Sequence, residues 1–106
     1  MNKLFVTESA KNDISNALAY IQNNLCNSQA SSTLAEEITK QFSILKLHPK
    51  TGPLVEDSIL SDLGIRFLLV KNYKAYYKIE ESGTESSVYI IRFLHSRQNY
   101  ETILSE

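Results

Sequence analysis

Cysteine, proline and glycine are scarce, at one, two and three residues, and tryptophan is absent. So little glycine and proline excludes collagen-like and low-complexity chains. The lone Cys26 cannot close an internal disulfide, and no Cys/His cluster has zinc spacing, so neither a metal nor any other cofactor is expected. No apolar run approaches the ~18 residues of a membrane-spanning helix. The opening MNKLFVTESAKND turns polar after three apolar residues, short of the about 7–15 that a secretory signal needs. These absences point to a reducing cytoplasm and to no membrane partner. An excess of one charge is missing too: 11 Lys and Arg stand against 12 Asp and Glu, where a dedicated nucleic-acid binder carries a clear basic surplus. The balance is uneven, however. Residues 65–100 hold six basic and three acidic side chains, and residues 1–64 hold five and seven, which leaves room for a local basic face in the second half.

At 106 residues, 42% of them apolar, the chain has the material for one domain, 1–106, with one core. Lys3–Val6 reads as a short strand. Thr7 is a candidate N-cap, with Glu8 in the first turn favoured by the helix dipole. Ala10, Ile14, Leu18, Ile21 and Leu25 form one stripe, predicting a helix over 8–25. Asn27 or Ser28 recaps the chain. A second stripe, Ala30, Leu34, Ile38, Phe42 and Leu45, predicts a helix over 28–47 that stops at His48-Pro49, because a residue before proline avoids helical geometry. The short connection makes the pair an antiparallel hairpin. Residues 48–64 read as loop. From Ile65 the pattern becomes IRFLLV, YKAYYKI and VYIIRFLH, rich in β-branched and aromatic residues. Lys71-Asn72 fits a two-residue turn in which Asn tolerates a left-handed conformation, and 81–86 fits the next turn. Residues 97–104 suggest a short terminal helix. The fold class is therefore α+β, in the order β-α-α-β-β-β, with the helix hairpin on one face of a small antiparallel sheet.

A turn at Lys71-Asn72 sets the register. Val70 then opposes Tyr73, Leu68 opposes Ala75 and Arg66 opposes Tyr77. This face, continuing to Ile79, is the expected core. The other face carries Ile65, Phe67, Leu69, Lys74, Tyr76 and Lys78. It is too polar for a core and too apolar for bare surface, so it reads as a binding face. The alternative is that the lysine stems merely cover the apolar residues.

AKNDISNALAYIQNNL, ASSTLAEEITKQFSILKLHPKTGP, GIRFLLVKNYKAYYKI and VYIIRFLHSRQNY, in that order, resemble the RelE/ParE superfamily of type II toxin–antitoxin toxins nearly end to end. The "L…HPKTGP" exit from the hairpin, the arginine opening the second strand and the "LHSRQ" exit from the last strand look most like the ParE-like branch. The resemblance implies a helix hairpin packed on a small sheet and a cognate antitoxin whose disordered tail folds over the toxin. It also implies a cellular target: DNA gyrase for ParE-like members, ribosome-bound messenger RNA for RelE-like endoribonucleases. Fold alone does not choose between them, and an inactive domain that only binds antitoxin is a third reading.

Cleaving RNA through its 2′-OH needs a base, charge stabilisation at phosphorus and an acid for the leaving oxygen. The resemblance puts Lys74 and Arg97 where RelE-like nucleases carry basic residues, so these two would hold the phosphate. His95 has the only unperturbed pKa near neutrality in this region and would serve as acid or base. Tyr100 would stack a base or donate a proton. Each has a plainer reading: His95 as a strand-edge residue, Lys74 and Arg97 as solvated or antitoxin-contacting charges. Arg66 is as fit to stack on Tyr77 or bridge an acid as to touch substrate. His48 fits a helix end, bonding a terminal carbonyl. Glu56-Asp57 offers a weak candidate for a carboxylate base. The chain lacks the dense Lys/Arg cluster of the strongest nucleases, and its pI of about 6.1 favours the ParE-like reading. The six residues of the mixed face are the expected antitoxin site, their lysines suited to an acidic amphipathic segment.

Overall fold

Thr7 shows how local chemistry starts the fold. Its side-chain oxygen accepts the Ala10 N–H at 3.2 Å, its hydroxyl donates to the Ile91 carbonyl, and its own N–H donates to the Ile90 carbonyl. One residue thus caps a helix and ties its start to the last strand. The computed structural model describes residues 2–98 and 103–104. Its elements are β1 (Lys3–Val6), α1 (Glu8–Ala19), a π-helical turn (Tyr20–Asn24) and α2 (Ser28–Leu47). A 3₁₀ turn (Pro49–Thr51), α3 (Ser58–Asp62), β2 (Arg66–Val70), β3 (Tyr73–Ser82) and β4 (Glu85–His95) follow. Tyr100 and half of the suggested terminal helix, residues 99–102, lie outside the described residues. No described helix is long and apolar enough to cross a membrane.

The second helix runs over the predicted span, with Asn27 accepting the Ala30 N–H as its cap. The first departs from expectation. Leu25 N–H reaches back to Tyr20 O and Asn27 N–H to Ile21 O, so the last turn is wider than an α-turn and rotates Leu25 off the apolar stripe into solvent. Cys26 follows with φ +51, the left-handed position that ends many helices. Ser31 is buried and donates to the Leu18 carbonyl, pinning the two helices together.

The sheet order is β1-β4-β3-β2. The β2–β3 register is the expected one: Val70 opposite Tyr73, Leu68 opposite Ala75, Arg66 opposite Tyr77. In the turn, however, Lys71 rather than Asn72 takes the left-handed conformation, at φ +56. The sheet is mixed rather than wholly antiparallel, because β1 lies parallel to β4, with Leu4 opposite Val88. A bulge after Tyr76 leaves Ile91 without a partner in the β3–β4 ladder. That extra residue lets Ile90 and Phe93 both face the helices while Ile91 and Leu94 face away.

Two apolar layers result. The expected one packs α1 and α2 on Val70, Ala75, Tyr77, Val88, Ile90 and Phe93. The second, on the opposite face, packs Val55 and Leu60 of the 53–64 segment on Ile65, Tyr76 and Leu94, with Phe67, Ile91, Ile103 and Leu104 at its margin. The face expected to lie open is thus covered at two of its six residues, Ile65 and Tyr76. The residues read as loop contain α3, capped by Asp57 through the Leu60 N–H, and this helix supplies the cover.

Candidate functional site

The HPKTGP stretch is bolted to the sheet from below. Tyr77, fully buried, donates from its hydroxyl to the Pro49 carbonyl at 2.8 Å and accepts the Gly52 N–H at 2.9 Å. Arg66 donates to the Gly52 carbonyl at 2.8 Å, so its partner is backbone rather than an acid. Burial pushes the Tyr77 phenol up from its ordinary pKa, against the Gly52 amide and Arg66, which pull it down. His48 caps α2 through its backbone: its N–H donates to Ile44 O, and its carbonyl accepts from Thr51 N–H and Oγ1. These residues build the frame that carries β2 and the start of α3.

At the far end of β4 the strand has no neighbour on its β1 side, because β1 stops opposite Ile90. Its outward N–H groups are met by side chains instead. Asp13 of α1 accepts the Phe93 N–H at 3.0 Å and holds Arg92 with two bonds, at 2.7 and 3.0 Å. Gln98 accepts the His95 N–H at 2.8 Å. A self-capped edge of this kind resists pairing with another strand. Sequence reasoning missed the Asp13–Arg92 pair, since 79 positions separate the two. The only local sign was an acid on the polar side of the helical stripe.

His95 and Arg97 share one turn. The Arg97 N–H donates to His95 Nδ1 at 3.2 Å, which leaves the neutral imidazole's proton on Nε2. The His95 ring stands edge-on to Tyr73 at 5.3 Å, beside a groove of about 570 Å³ between β4 and α1 that Asn16, Tyr20 and Gln98 also line. Burial first, and Tyr20 second, raise the Tyr73 pKa.

Lys74 stands elsewhere. Tyr73 and His95 are directly opposed and share the helix side of the sheet. Lys74, the next residue, points to the other side. There its ammonium lies 4.9 Å from the centre of the Phe67 ring. A cavity of about 120 Å³ brings Lys74 together with Glu56 and Val55. Asp57, the other half of the acidic pair, is spent on capping α3. The nuclease candidates therefore do not converge: Lys74, beside Glu56, lies on the side of the sheet opposite His95, and Arg97 follows His95 in the turn beyond β4. Of the mixed face, Leu69 remains 57% exposed, and Phe67, Lys74 and Lys78 are half-buried.

The family model described as ParE toxin of type II toxin–antitoxin system, parDE, matches residues 4–100. No curated protein matches the sequence. Among solved structures, a chromosomal ParDE toxin–antitoxin system from P. aeruginosa is similar, with 18% identity, 90% of this chain and 96% of that chain covered, and a TM-score of 0.67. The YoeB/ParE toxin from Agrobacterium tumefaciens is also similar (16% identity, 88% and 97% covered, TM-score 0.61). So is the RelBE2 toxin–antitoxin complex from Mycobacterium tuberculosis (19% identity, 88% and 95% covered, TM-score 0.56). At these identities the three share a fold with this chain, and the fold is common to ParE-like and RelE-like branches. The match over residues 4–100, nearly the whole chain, shows that the protein belongs to the ParE toxin family of type II toxin–antitoxin systems.

Proposed function

We propose that this toxin halts growth in the cytoplasm by binding a protein, DNA gyrase, rather than by cutting RNA, and that a cognate antitoxin neutralises it. The observation that carries the reading is that Lys74 and His95 lie on opposite sides of the sheet. A phosphoryl-transfer site needs its acid, base and cationic groups around one phosphate, within hydrogen-bond reach. The balanced charge of the chain points the same way. The antitoxin segment would sit where the mixed face is still open, on Phe67, Leu69, Lys74 and Lys78, with an acidic, apolar-faced helix matching the lysines.

A second reading, as a ribosome-dependent endoribonuclease, draws on the His95–Arg97 turn alone, where a half-buried histidine and an exposed arginine stand two residues apart. Induced expression without antitoxin separates the two. A DNA-damage response with intact messenger RNA is the expected result, and inhibition of supercoiling by purified gyrase should accompany it. Site-specific cleavage of messenger RNA without that response would overturn the gyrase reading.

A further inference from the structure

The helix that covers the second apolar layer also carries apolar residues on its outer side. Leu60 points inward and is buried, but Ile59 and Leu63, one turn apart, are 72% and 57% exposed. Two large aliphatic side chains at i and i+4 form a stripe of the kind a partner helix packs on. Its surroundings are acidic. Asp57 caps this short helix and Asp62 ends it, Glu56 precedes it, and no Lys or Arg occurs between Lys50 and Arg66. Both of those flanking cations are engaged, Lys50 with Glu81 and Arg66 with the Gly52 carbonyl. Lys74 lines one cavity with Glu56 and the Asp57 carboxylate caps the helix, so Asp62 is the exposed carboxylate beside the stripe and Asp57 adds its charge at the helix start.

We propose that the Ile59–Leu63 stripe of α3, with Asp57 and Asp62 beside it, is a docking surface for a basic amphipathic helix of a partner protein. The charge decides the occupant. A second copy of this chain would bring its own carboxylates against these, which costs binding. Nucleic acid and anionic membrane are repelled for the same reason. An acidic antitoxin segment suits the lysine-bearing sheet face and not this helix. The surface is therefore available for a second partner while the sheet face is occupied, and it does not depend on which macromolecule the toxin poisons.

The test titrates the folded full chain with two helical peptides of identical leucine face, one lysine-rich and one glutamate-rich, following backbone amide shifts by NMR. The lysine-rich peptide should shift residues 56–63, bind more weakly as salt rises, and bind at least about tenfold more weakly to Ile59→Ser/Leu63→Ser and to Asp62→Lys. Both variants alter exposed side chains, so unchanged thermal melts should accompany the loss. Equal binding of the two peptides, shifts centred elsewhere, or wild-type affinity in the double variant overturns the proposal. A second arm measures growth inhibition and antitoxin affinity of the same variants. If both variants lose antitoxin binding, the surface belongs to the antitoxin and the proposal fails. If the wild type spares purified gyrase while the peptide result holds, the gyrase reading fails and the docking surface stands.

Discussion

Removing one oxygen tests the frame beneath the site. In Tyr77→Phe the ring still fills its place in the core, but the Pro49 carbonyl loses its donor and the Gly52 N–H its acceptor. Gly52 is buried and Pro49 half-buried, so water replaces the lost partner at the carbonyl more readily than at the N–H. Leaving a buried donor unpaired costs about 1–3 kcal/mol, and losing an ordinary hydrogen bond about 1 kcal/mol, so the expected loss is about 2–3 kcal/mol. At about 4–5 °C per kcal/mol for a chain near this length, the melting temperature should fall by about 8–15 °C. Gly52→Ala should do more. A Cβ there would lie 2.2 Å from the Phe67 carbonyl oxygen and 2.7 Å from the Tyr77 hydroxyl. With Gly52 at φ −83, the obstacle is space and not backbone conformation, and the cost should reach about 3 kcal/mol or more. Because both changes release the same loop, the double variant should lose less than the sum. The phenol also makes stability depend on pH. Its raised pKa means that its contribution is complete below about pH 10, the unfolded value, and is lost as pH climbs through the folded one. Alkaline melts should therefore steepen above about pH 10 in the wild type and less so in Tyr77→Phe, which retains the raised Tyr73. Urea denaturation of the four proteins gives the free energies. A Tyr77→Phe loss under about 0.5 kcal/mol, or strict additivity with Gly52→Ala, would refute the network as a structural tie.

Asp13→Ala removes both bonds to a partly buried Arg92 and uncaps the Phe93 N–H; it should cost about 1–3 kcal/mol in urea denaturation, and a cost near zero would show the edge cap to be idle. Cys26→Ser should change stability by less than about 1 kcal/mol, since the residue is exposed. Cys26→Gly, which relieves a φ of +51, should gain about 0.5–1 kcal/mol by the same measurement. On the gyrase reading, His95→Ala and Arg97→Ala should both still arrest growth on induction, and loss of toxicity in both folded variants would put the nuclease reading ahead. Leu69→Asp, on the open part of the sheet face, should weaken a purified antitoxin by about 2 kcal/mol or more in calorimetry; unchanged affinity would move the antitoxin to another surface.

Regular stretches were legible where periodicity repeats. The α2 stripe runs through five apolar positions, and the β2–β3 hairpin alternates cleanly about a two-residue turn, so both span and register follow from the residues alone. What escaped depends on irregularity or distance. A five-residue helix inside LVEDSILSDLG has no room to show a period, so the cover over Ile65 and Tyr76 was not foreseen. The bulge after Tyr76 shifts the inward set on β4 to Ile90 and Phe93, which no strict alternation predicts. Asn was the expected left-handed residue of the turn on propensity, yet register put Lys71 there. The candidate site suffered the same way. Lys74 and Arg97 were grouped through the resemblance to RelE-like nucleases and His95 through its pKa range, whereas strand alternation turns Lys74 to the side opposite Tyr73 and its partner His95.

The parallel pairing of β1 with β4 has a kinetic consequence. Leu4 meets Val88, and β4 alone joins β1 to β3 while receiving Thr7 and Asp13 from the start of α1. A chain still growing through residue 84 already holds both long helices and three strands, but β1 has nothing to pair with and α1 has no wall to pack on. Contacts spanning more than 80 positions close late and slowly. The helices and the β2–β3 hairpin can form early as local fragments, and the binding surfaces appear only when the last strand slots between β1 and β3. A chain cut before β4 therefore has neither face of the sheet complete, and both sheet surfaces arise from a single late folding event.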